Sequence, residues 1–288
     1  MKEDLFTKEE LQELAPVFKS KRGSALLDRL VHFVALDRLN AGYRESSIYE
    51  GVDCAHELLK IFETEYKVGG LDLDKLPEGP FITISNHPYG GVDGLVLIDL
   101  VGHYRPDLKV MVNKILGMAK KLGPNIITVT PTGESRKSAS KESINGIKES
   151  IEVIRSGGVL GLFPSGAVSD LKPSEGFKIR DREWQTAAIK LIKKLNVPVV
   201  PIRFFDRNNI FYYLLGLISW KVRLLRLPRE IMNKKGKNVR VGIGEIIPAE
   251  KIQSFETLEE LSSFLRSSVY GMKPPKKYIK SSELPFNK

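Results

Sequence analysis

The sequence predicts an α/β fold, in which a mostly parallel sheet is flanked by helices and preceded by a helical segment. From Phe81 onward, short apolar or β-branched runs alternate with stretches of helical periodicity, which is the pattern of strand–helix–strand units. Residues 7–66 have helical periodicity instead. With 288 residues, the chain is near the upper size of a single hydrophobic core, and no linker is long enough to force a two-domain split.

The helical segment comprises residues 1–66. It opens with a capping-box pattern, in which Glu10 follows Thr7 by three positions. Apolar residues such as Leu30 and Val34 then recur at three- and four-residue steps, which is the spacing of one helix face. We expect this segment to pack on the sheet or to form a small subdomain.

The α/β domain comprises residues 67–271 and begins with a Gly/Pro-rich connection over 67–80. Its strands are predicted at FITIS, LKVMV, NIITVT, GVLGLF, VPVVPIRFF and VRVGIG. Its helices are predicted near 94–103, 114–122, 141–156, 184–195 and 255–270. The basic tail, residues 272–288, is rich in Pro and Lys, and we expect it to be loosely held.

The composition narrows the class of protein. Hydrophobic residues make up 42% and charged residues 28%, which excludes a fibre or a disordered chain. Cys54 is the only cysteine, which excludes an internal disulfide and a cysteine-based metal cluster. The N-terminus lacks a signal-peptide pattern, and no run of about 18 apolar residues could span a membrane. We therefore expect a cytoplasmic protein that associates peripherally with the inner face of the cytoplasmic membrane.

The polar segment that follows the strand FITIS is the most informative part of the sequence. In FITISNHPYGGVDG, residues 81–94, His87 follows the strand, and Asp93 comes after a Gly-Gly turn. Ligands bind outside the carboxyl ends of parallel strands, which is where His87 falls. The turn can fold the Asp93 carboxylate back onto one imidazole nitrogen and leave the other nitrogen as a free base. Such a pair suits deprotonation of a substrate hydroxyl; the alternative is a purely structural pair of caps.

The strand GVLGLF runs into a second tight turn, Phe163-Pro164-Ser165-Gly166. The glycine spacing is that of a P-loop, but the Lys and Ser/Thr that such a loop requires are missing, so a P-loop is excluded. The backbone N–H groups of the turn could face an anion. The alternative is an ordinary strand-to-loop turn.

The remaining histidines do not have the spacing of a metal site. His32 and His56 lie inside helical patterns, and His103 precedes a proline-containing turn. The sequence has no His-x3-His pair and no carboxylate cluster with metal-ligand spacing. We interpret these histidines as structural or surface residues and predict no bound metal.

The positive charge is concentrated in one stretch. Lys and Arg outnumber Asp and Glu by 45 to 35, a net charge of +10, and ten basic residues face two acidic ones between Arg203 and Arg240. The stretch contains IFYYLLGLISW, residues 210–220, which is too short to span a bilayer. An apolar aromatic block followed by basic residues is typical of an element that lies on an anionic membrane surface. The predicted membrane contacts are Phe211, Tyr212, Leu214, Leu215, Trp220, Lys221 and Arg223.

This basic stretch has two other interpretations. A buried helix with a solvated basic end would need no membrane, and nucleic acid could bind the same charge. The aromatic residues form one apolar block rather than alternating along a basic sheet face, which argues against base stacking. We therefore predict no nucleic-acid partner.

These segments resemble the sequence blocks of the glycerolipid (lysophosphatidate-type) acyltransferase family, over about residues 45–250. The resemblance is greatest to a bacterial branch often labelled haemolysins, which includes lyso-ornithine and lyso-glycine lipid O-acyltransferases. Residues 86–94, NHPYGGVDG, match the NHPxGGxDG block of that branch. The branch places five residues between its His and Asp, as this chain does, whereas the broader family usually places four.

Other blocks extend the resemblance. Asn113 and the loop that holds Arg136 fall where the family has its second block, and VPVVPIRF matches the fourth. Arg207 begins a segment that is similar to the GRNS segment of the branch. The third block is usually FPEG in the broad family, and here Ser165 stands in place of the glutamate.

The resemblance implies that His87 is the general base and Asp93 its orienting partner. The hydroxyl of a lysolipid would attack an acyl thioester on acyl carrier protein or coenzyme A, with no other cofactor. Backbone N–H groups near the two glycine turns would stabilise the oxyanion, and Arg136, Lys137 or Lys141 would bind an acidic headgroup or the phosphate of the carrier. The substrate-binding residues it implies are Asn86, Gly90, Gly91, Asn113, Arg136, Phe163, Pro164, Ser165, Gly166 and Arg207.

The absent glutamate at position 165 favours a lyso-aminolipid, an ornithine or glycine lipid, as the acyl acceptor. A lysophosphatidate acyltransferase is the alternative enzyme. A basic protein that binds a membrane or nucleic acid without catalysis is the alternative class.

Overall fold

The computed structural model describes residues 4–5, 7–14, 19–113, 116–130 and 141–287. In this part of the chain, helices cover both faces of an eight-stranded sheet, which confirms the predicted fold class. The helices are α1 Lys8–Leu14, α2 Lys21–Phe33, α3 Leu36–Glu45, α4 Gly51–Ile61, α5 Gly91–Gly102, α6 Lys141–Arg155, α7 Thr186–Leu195, α8 Ile210–Ile218, α9 Trp220–Leu225, α10 Leu227–Met232, α11 Ala249–Gln253 and α12 Leu258–Tyr270. The strands are β1 Glu65–Gly70, β2 Phe81–Ser85, β3 Leu108–Asn113, β4 Ile126–Val129, β5 Val159–Leu162, β6 Asp170–Lys172, β7 Lys178–Arg180, β8 Val199–Phe204, β9 Asn238–Ile243 and β10 Ile279–Lys280.

The large sheet has the strand order β10-β1-β9-β8-β2-β5-β3-β4, and β6 and β7 form a separate antiparallel pair. The five strands β8, β2, β5, β3 and β4 are mutually parallel. β9 runs antiparallel to β8 and parallel to β1, and β10 runs antiparallel to β1. The carboxyl ends of β2, β3, β5 and β8 therefore meet at one edge of the sheet, which is where parallel sheets bind ligands.

Two hydrophobic clusters hold the helices on the sheet. One contains Leu58 of α4 and Leu97 of α5, and the other contains Ile192 of α7 and Leu265 of α12. β2 is buried along its whole length because helices cover both faces of the sheet there. α5 is buried continuously from Leu95 to Gly102, as expected of a helix that is apolar on all sides.

The first strand and the tail differ from the sequence prediction. β1 begins at Glu65, and its residues were expected to end the helical segment and to begin a loop connection. The tail supplies the outermost strand, β10, which pairs with β1 and places Lys280 opposite Lys67, so it covers hydrogen-bonding groups that β1 would otherwise expose at the edge of the sheet. Leu284 is 3% exposed and belongs to the same cluster as α4 and α5. The expectation of a loosely held tail was therefore wrong.

The helix predicted near 114–122 does not form in the described part of that segment. Two short 3₁₀ turns, Leu116–Met118 and Lys120–Asn125, replace it. Pro124 removes a backbone donor, and nearby glycines lower helix propensity, which explains the difference. Among the described residues, no helix combines the length and apolar character that crossing a membrane would require.

We expect Leu284→Ala to lower the free energy of unfolding by about 2–4 kcal/mol, because the substitution leaves a cavity where the tail joins the core. Ile279→Ala is the matched control, since Ile279 lies in the same tail but is 50% exposed. It should change the free energy by less than about 0.5 kcal/mol. Chemical denaturation followed by circular dichroism measures both values. Equal stability of the two variants would contradict anchoring of the tail through Leu284.

Candidate active site

The segment after β2 brings His87 and Asp93 together at the carboxyl edge of the sheet. Nδ1 of His87 lies 2.8 Å from Oδ2 of Asp93. Asp93 is completely buried, whereas the side chain of His87 keeps 12% of its surface exposed. Nε2 is on the far edge of the ring from Asp93, so it is the nitrogen left to face a ligand.

The glycine turn explains how the pair meets. Gly90 has φ of 89°, which L side chains rarely adopt, and a Cβ there would lie 2.9 Å from Leu227. The turn places Asp93 in the first turn of α5, where its Oδ2 accepts the N–H groups of Tyr89 and Gly90, each at 2.9 Å. Burial raises the pKa of the Asp93 carboxyl, and its contacts with His87 and the two N–H groups oppose that rise.

Residues 86–89 are held by groups from distant parts of the chain. Asn86 donates its amide N–H to the carbonyl of Phe204 at 2.9 Å and accepts the N–H of Phe204 at 2.8 Å. The N–H of His87 donates to Asp181 at 3.1 Å, and its carbonyl accepts the N–H of Ser169 at 2.9 Å. Asn86 therefore joins β2 to β8 through both ends of its amide, and its predicted contact with substrate stays a prediction.

Two residues beyond β8 hold the next carbonyls. The Tyr213 hydroxyl donates to the carbonyl of Pro88 at 2.7 Å and accepts the N–H of Asn208 at 3.1 Å. The amide of Asn208 donates to the carbonyl of Tyr89 at 3.1 Å. The segment that carries His87 is therefore positioned in advance of any ligand.

Asp181 is a second buried carboxylate in contact with this segment, and no pattern in the sequence predicted its role. It accepts the N–H of His87, the hydroxyl of Ser169 at 2.6 Å and the indole N–H of Trp184 at 3.4 Å. Burial raises the pKa of its carboxyl. Because Asp181 lies 94 positions from His87 in the chain, no local spacing connects the two residues.

His87 lines a cavity of about 210 Å³, here called the histidine cavity. Most of its lining is apolar and comes from the carboxyl ends of β3 and β5 and from α6 and α7. The ring of Phe163 lies against the imidazole, with 4.3 Å between the ring centroids. Asn113 is half-buried in the wall, and its Oδ1 accepts the N–H of Leu116 at 3.1 Å. Of the residues predicted to bind substrate, this cavity brings together Gly90, Asn113, Phe163, Pro164 and Gly166.

Ser165 is outside the histidine cavity. It is 3% exposed, and its hydroxyl donates to the carbonyl of Ala167 at 2.8 Å, so its side chain does not face the histidine cavity, and its predicted contact with substrate stays a prediction. Two of the backbone N–H groups that were predicted to stabilise the oxyanion already make hydrogen bonds within the protein. The N–H of Gly90 donates to Asp93, and the N–H of Gly166 donates to the carbonyl of Phe163. These two groups do not serve as free oxyanion donors in this conformation.

A second cavity of about 210 Å³, here called the apolar cavity, adjoins the first. The two share Gly94, Val112 and Leu116, and the predicted substrate-binding residue Gly91 lines only the second. Its other walls come from the N-terminal helices, α5 and the α9–α10 region. The N-terminal helical segment therefore packs on the sheet domain and encloses space next to His87.

A third cavity, here called the polar cavity, has a volume of about 660 Å³. Residues 86–90 divide between the cavities, since His87 and Gly90 line the histidine cavity while Asn86, Pro88 and Tyr89 line the polar one. Arg207, which was predicted to bind substrate, is exposed and lines the polar cavity rather than the histidine cavity. Arg136 and Lys137 lie outside the described residues.

One group of described residues has ligand atoms close enough to hold a metal ion, all within 4.8 Å of one another: His56, Asp99 and His103. The group is at the far end of α5 from Asp93. Nδ1 of His56 lies 2.9 Å from Asp99 Oδ1, and the Tyr66 hydroxyl donates to Asp99 Oδ2 at 2.7 Å. Burial on its own would raise the pKa of Asp99. The hydrogen bonds from His103, His56 and Tyr66 have the larger combined effect, so the pKa of Asp99 is lowered. Hydrogen bonds account for the arrangement, and the absence of a bound metal stays a prediction.

The predicted membrane contacts divide between surface and interior. Phe211, Leu214 and Trp220 are exposed, and Leu215 is half-buried. Tyr212 is 1% exposed because it faces the protein from α8.

Arg223 is also buried, and it forms an ion pair with Asp170 and donates to the carbonyl of Ser169 at 3.1 Å. Tyr212 and Arg223 therefore cannot contact a membrane, which corrects both predictions. The side chain of Lys221 lies outside the described part of the structure.

The sequence is similar to known proteins over most of its length. A family model described as acyltransferase matches residues 14–277. The chain is 27% identical over 277 residues to a lyso-glycine lipid O-acyltransferase of Phocaeicola vulgatus, covering 91% of this chain and 95% of that protein. It is 29% identical over 254 residues to a lyso-glycine lipid O-acyltransferase of Bacteroides thetaiotaomicron, covering 85% and 88%. A crystal structure of a 1-acyl-sn-glycerophosphate acyltransferase from Thermotoga maritima aligns with a TM-score of 0.45, 17% identity and 89% of each chain covered.

We expect Tyr213→Phe to lower the free energy of unfolding by about 1–3 kcal/mol, because it removes the hydroxyl partner of two buried backbone groups. Tyr212→Phe is the matched control. Tyr212 is adjacent and equally buried, and within the described residues its hydroxyl makes no hydrogen bond, so its loss should change stability by less than about 0.5 kcal/mol. Urea denaturation measures both, and similar losses in the two variants would refute the specific role of the Tyr213 hydroxyl.

Proposed function

The chain belongs to the acyltransferase family, and on that premise we propose that it transfers a fatty acyl chain from an acyl thioester to the hydroxyl of a lysolipid. The observation that carries the proposal is the His87–Asp93 pair, with 2.8 Å between Nδ1 and Oδ2, in which His87 lines the histidine cavity and that cavity adjoins the apolar cavity. The names of the two relatives, both lyso-glycine lipid O-acyltransferases, agree with this chemistry.

In the proposed reaction His87 acts as a general base. Nε2 takes the proton of the acceptor hydroxyl while the hydroxyl oxygen forms a bond to the thioester carbonyl carbon. The carbonyl oxygen becomes an oxyanion in the tetrahedral intermediate. When the intermediate collapses, the carbon–sulfur bond breaks, and the departing thiolate receives the proton from Nε2. Asp93 stabilises the imidazolium that exists between these two proton transfers.

The two apolar cavities suit the hydrocarbon part of such substrates. The lining of the apolar cavity is almost entirely aliphatic or aromatic, and the two cavities share Gly94, Val112 and Leu116 as common wall residues. Burial of each methylene group there contributes about 0.8 kcal/mol to binding. We propose that the acyl chain lies along these cavities while its carbonyl carbon is next to His87.

A lyso-glycine lipid is the acceptor we propose. Both relatives carry that name, and the position at which the broad family usually has a glutamate is Ser165, which faces away from the histidine cavity. Acyl carrier protein and coenzyme A are both donors to be tested, because the described residues do not distinguish them.

We also propose that the protein binds a membrane surface through the α8–α9 patch. This patch consists of exposed large apolar side chains on the two helices: Ile210, Phe211, Leu214, Leu217, Ile218, Trp220, Val222 and Leu225. An exposed apolar surface of this kind marks an interaction site, and the exposed side chains of Arg207 and Arg229 nearby favour an anionic bilayer. Such contact would give the site access to a lipid substrate.

We expect His87→Ala to reduce the rate of acyl transfer by about 10²–10⁴-fold, because the general base is lost while the buried Asp93 interactions with Tyr89 and Gly90 remain. The measurement is thioester consumption with purified protein, lyso-glycine lipid and either acyl carrier protein or coenzyme A as donor. His32→Ala is the control, since 77% of the His32 side chain is exposed.

Circular dichroism of both histidine variants checks that each one folds. A rate of acyl transfer by His87→Ala close to that of the unaltered chain would contradict the proposed mechanism. Lysophosphatidate is assayed in parallel as acceptor. Faster acylation of lysophosphatidate than of lyso-glycine lipid would contradict the proposed acceptor but not the proposed mechanism.

We expect the double substitution Ile218→Glu and Trp220→Glu to reduce binding to vesicles that contain phosphatidylglycerol by at least about tenfold, because each lost apolar contact is worth about 1.5–3 kcal/mol. Phe177→Glu is the control, since Phe177 is 67% exposed in the loop between β6 and β7. Vesicle flotation measures bound protein. Undiminished binding of the double variant would exclude the α8–α9 patch as the membrane contact.

A further inference from the structure

The polar cavity contains an excess of positive charge next to the segment that carries His87. Its wall includes Asn86, Pro88 and Tyr89, so it lies directly against that segment. Its charged lining consists of five basic and two acidic side chains: Arg203, Arg207, Lys234, Lys237, Arg240, Asp206 and Glu230. Which of these charges is available to a ligand depends on the contacts each one already makes.

Two of the basic side chains are already engaged. Arg240 donates from Nε to Asp206 at 3.1 Å, which uses one of the two carboxylates. Arg203 donates to two backbone carbonyls near the end of α12, those of Tyr270 and Met272, both at 2.5 Å. These two arginines therefore hold the cavity walls in place.

The second carboxylate is also engaged. Glu230 is 1% exposed, and each of its oxygens accepts at least one hydrogen bond within 3.2 Å. Its donors are the guanidinium of Arg226, the amide of Asn233 and the backbone N–H of Asn209. Both acidic residues of the cavity are thus paired with groups of the protein.

Lys234 is the buried cation of the polar cavity. It is 4% exposed, and among the described residues its ammonium group makes no hydrogen bond and no ion pair. Its close contact is with the ring of Tyr89, 4.7 Å from Nζ to the centroid. Burial lowers the pKa of Lys234 to about 8, against the opposing influence of Glu230, so the group is mainly charged at neutral pH. Lys234 lines the polar cavity, and its ammonium group has no anionic partner among the described residues, so its position points to an anion that completes the site.

We propose that the polar cavity is an oxyanion-binding site in which Lys234 binds a carboxylate or phosphate group of a substrate. Arg207 and Lys237 are exposed, line the same cavity and, within the described chain, form no ion pair, so they can add contacts at its rim. An ammonium group bound to an oxyanion forms the stronger, charge-assisted type of hydrogen bond.

The assignment of the oxyanion to a substrate rests on the proposed function. The substrates of that reaction contain two oxyanions that could bind here. The headgroup of a glycine lipid ends in a carboxylate. Acyl carrier protein and coenzyme A both attach their thiol through phosphopantetheine, which carries a phosphate. Tyr89, which contacts Lys234, is two residues from His87, so either group would bind close to the reacting segment.

Calorimetric titration with sulfate tests oxyanion binding without any acyl transfer. We expect Lys234→Met to weaken sulfate binding by at least about tenfold at pH 7, because a hydrogen bond to a charged group contributes about 1.5–3 kcal/mol. Lys235→Met is the matched control, since Lys235 is the next residue, has a side chain that is 67% exposed and pairs with Glu63 outside the cavity. Equal affinity of the unaltered chain and Lys234→Met would overturn the proposal.

Sulfate binding by the unaltered chain at two pH values tests the proposal even if the Lys234→Met variant does not fold. Sulfate keeps its charge between pH 7 and pH 9.5, whereas Lys234 loses its proton as the pH rises through about 8. Sulfate should therefore bind the unaltered chain more weakly at pH 9.5 than at pH 7, and the folded Lys234→Met variant should show a smaller difference. Binding to the unaltered chain that does not change with pH would also overturn the proposal.

Competition with sulfate distinguishes the two sources. Displacement by N-octanoylglycine supports the lipid headgroup, and displacement by 4′-phosphopantetheine supports the carrier. Failure of both to displace sulfate would refute the assignment to a substrate. If the chain has no lysolipid acyltransferase activity, Lys234-dependent sulfate binding would still be observed, so failure of the proposed function and failure of the oxyanion site give different results.

Discussion

The arrangement of the active site depends on one constraint, which is that buried backbone N–H and C=O groups must have hydrogen-bond partners. The ladder between β2 and β8 ends at Ser85, so the residues that follow receive their partners mainly from side chains. Those side chains come from α5, from the segment around Asp181 and from the start of α8. They meet because β8 is the neighbour of β2 in the sheet. The position of His87 is therefore a consequence of the whole fold.

The basic stretch of the sequence serves more than one purpose in the structure. Several of its cations are engaged within the protein, namely Arg223 with Asp170, Arg226 with Glu230, Lys235 with Glu63 and Arg240 with Asp206. Arg207, Lys234 and Lys237, which make no such pairs among the described residues, all line the polar cavity. The α8–α9 patch is formed by apolar side chains instead. The net charge of this stretch therefore overstates the positive charge that a membrane could contact, because ion pairs within the protein neutralise several of its basic side chains.

Local sequence information is sufficient for the fold class and for the His87–Asp93 pair, because strand and helix periodicities are clear and the pair lies within one turn. It is insufficient for Asp181 and Tyr213, whose contacts with the segment after β2 span 94 and 125 positions. Such contacts follow from strand order, which periodicity does not specify. One signal was available for Tyr213, because a tyrosine hydroxyl that becomes buried usually needs a hydrogen-bond partner. The strands β1 and β10, at one end of the sheet, were missed because their short runs are not apolar on both faces.

In the proposed mechanism, the attraction between His87 and Asp93 is weaker before the reaction than during it. Before the proton transfer, an imidazole that acts as a base at Nε2 carries its proton on Nδ1 and has no net charge, and Nδ1 lies 2.8 Å from Oδ2 of the buried Asp93 carboxylate. When Nε2 takes the substrate proton, the ring gains a positive charge beside this carboxylate. Because residues 86–89 are held by the fold, the two groups are already next to each other when the charge forms. The interaction therefore strengthens as the charged intermediate forms, and only interactions that strengthen in this way lower the barrier of the chemical step.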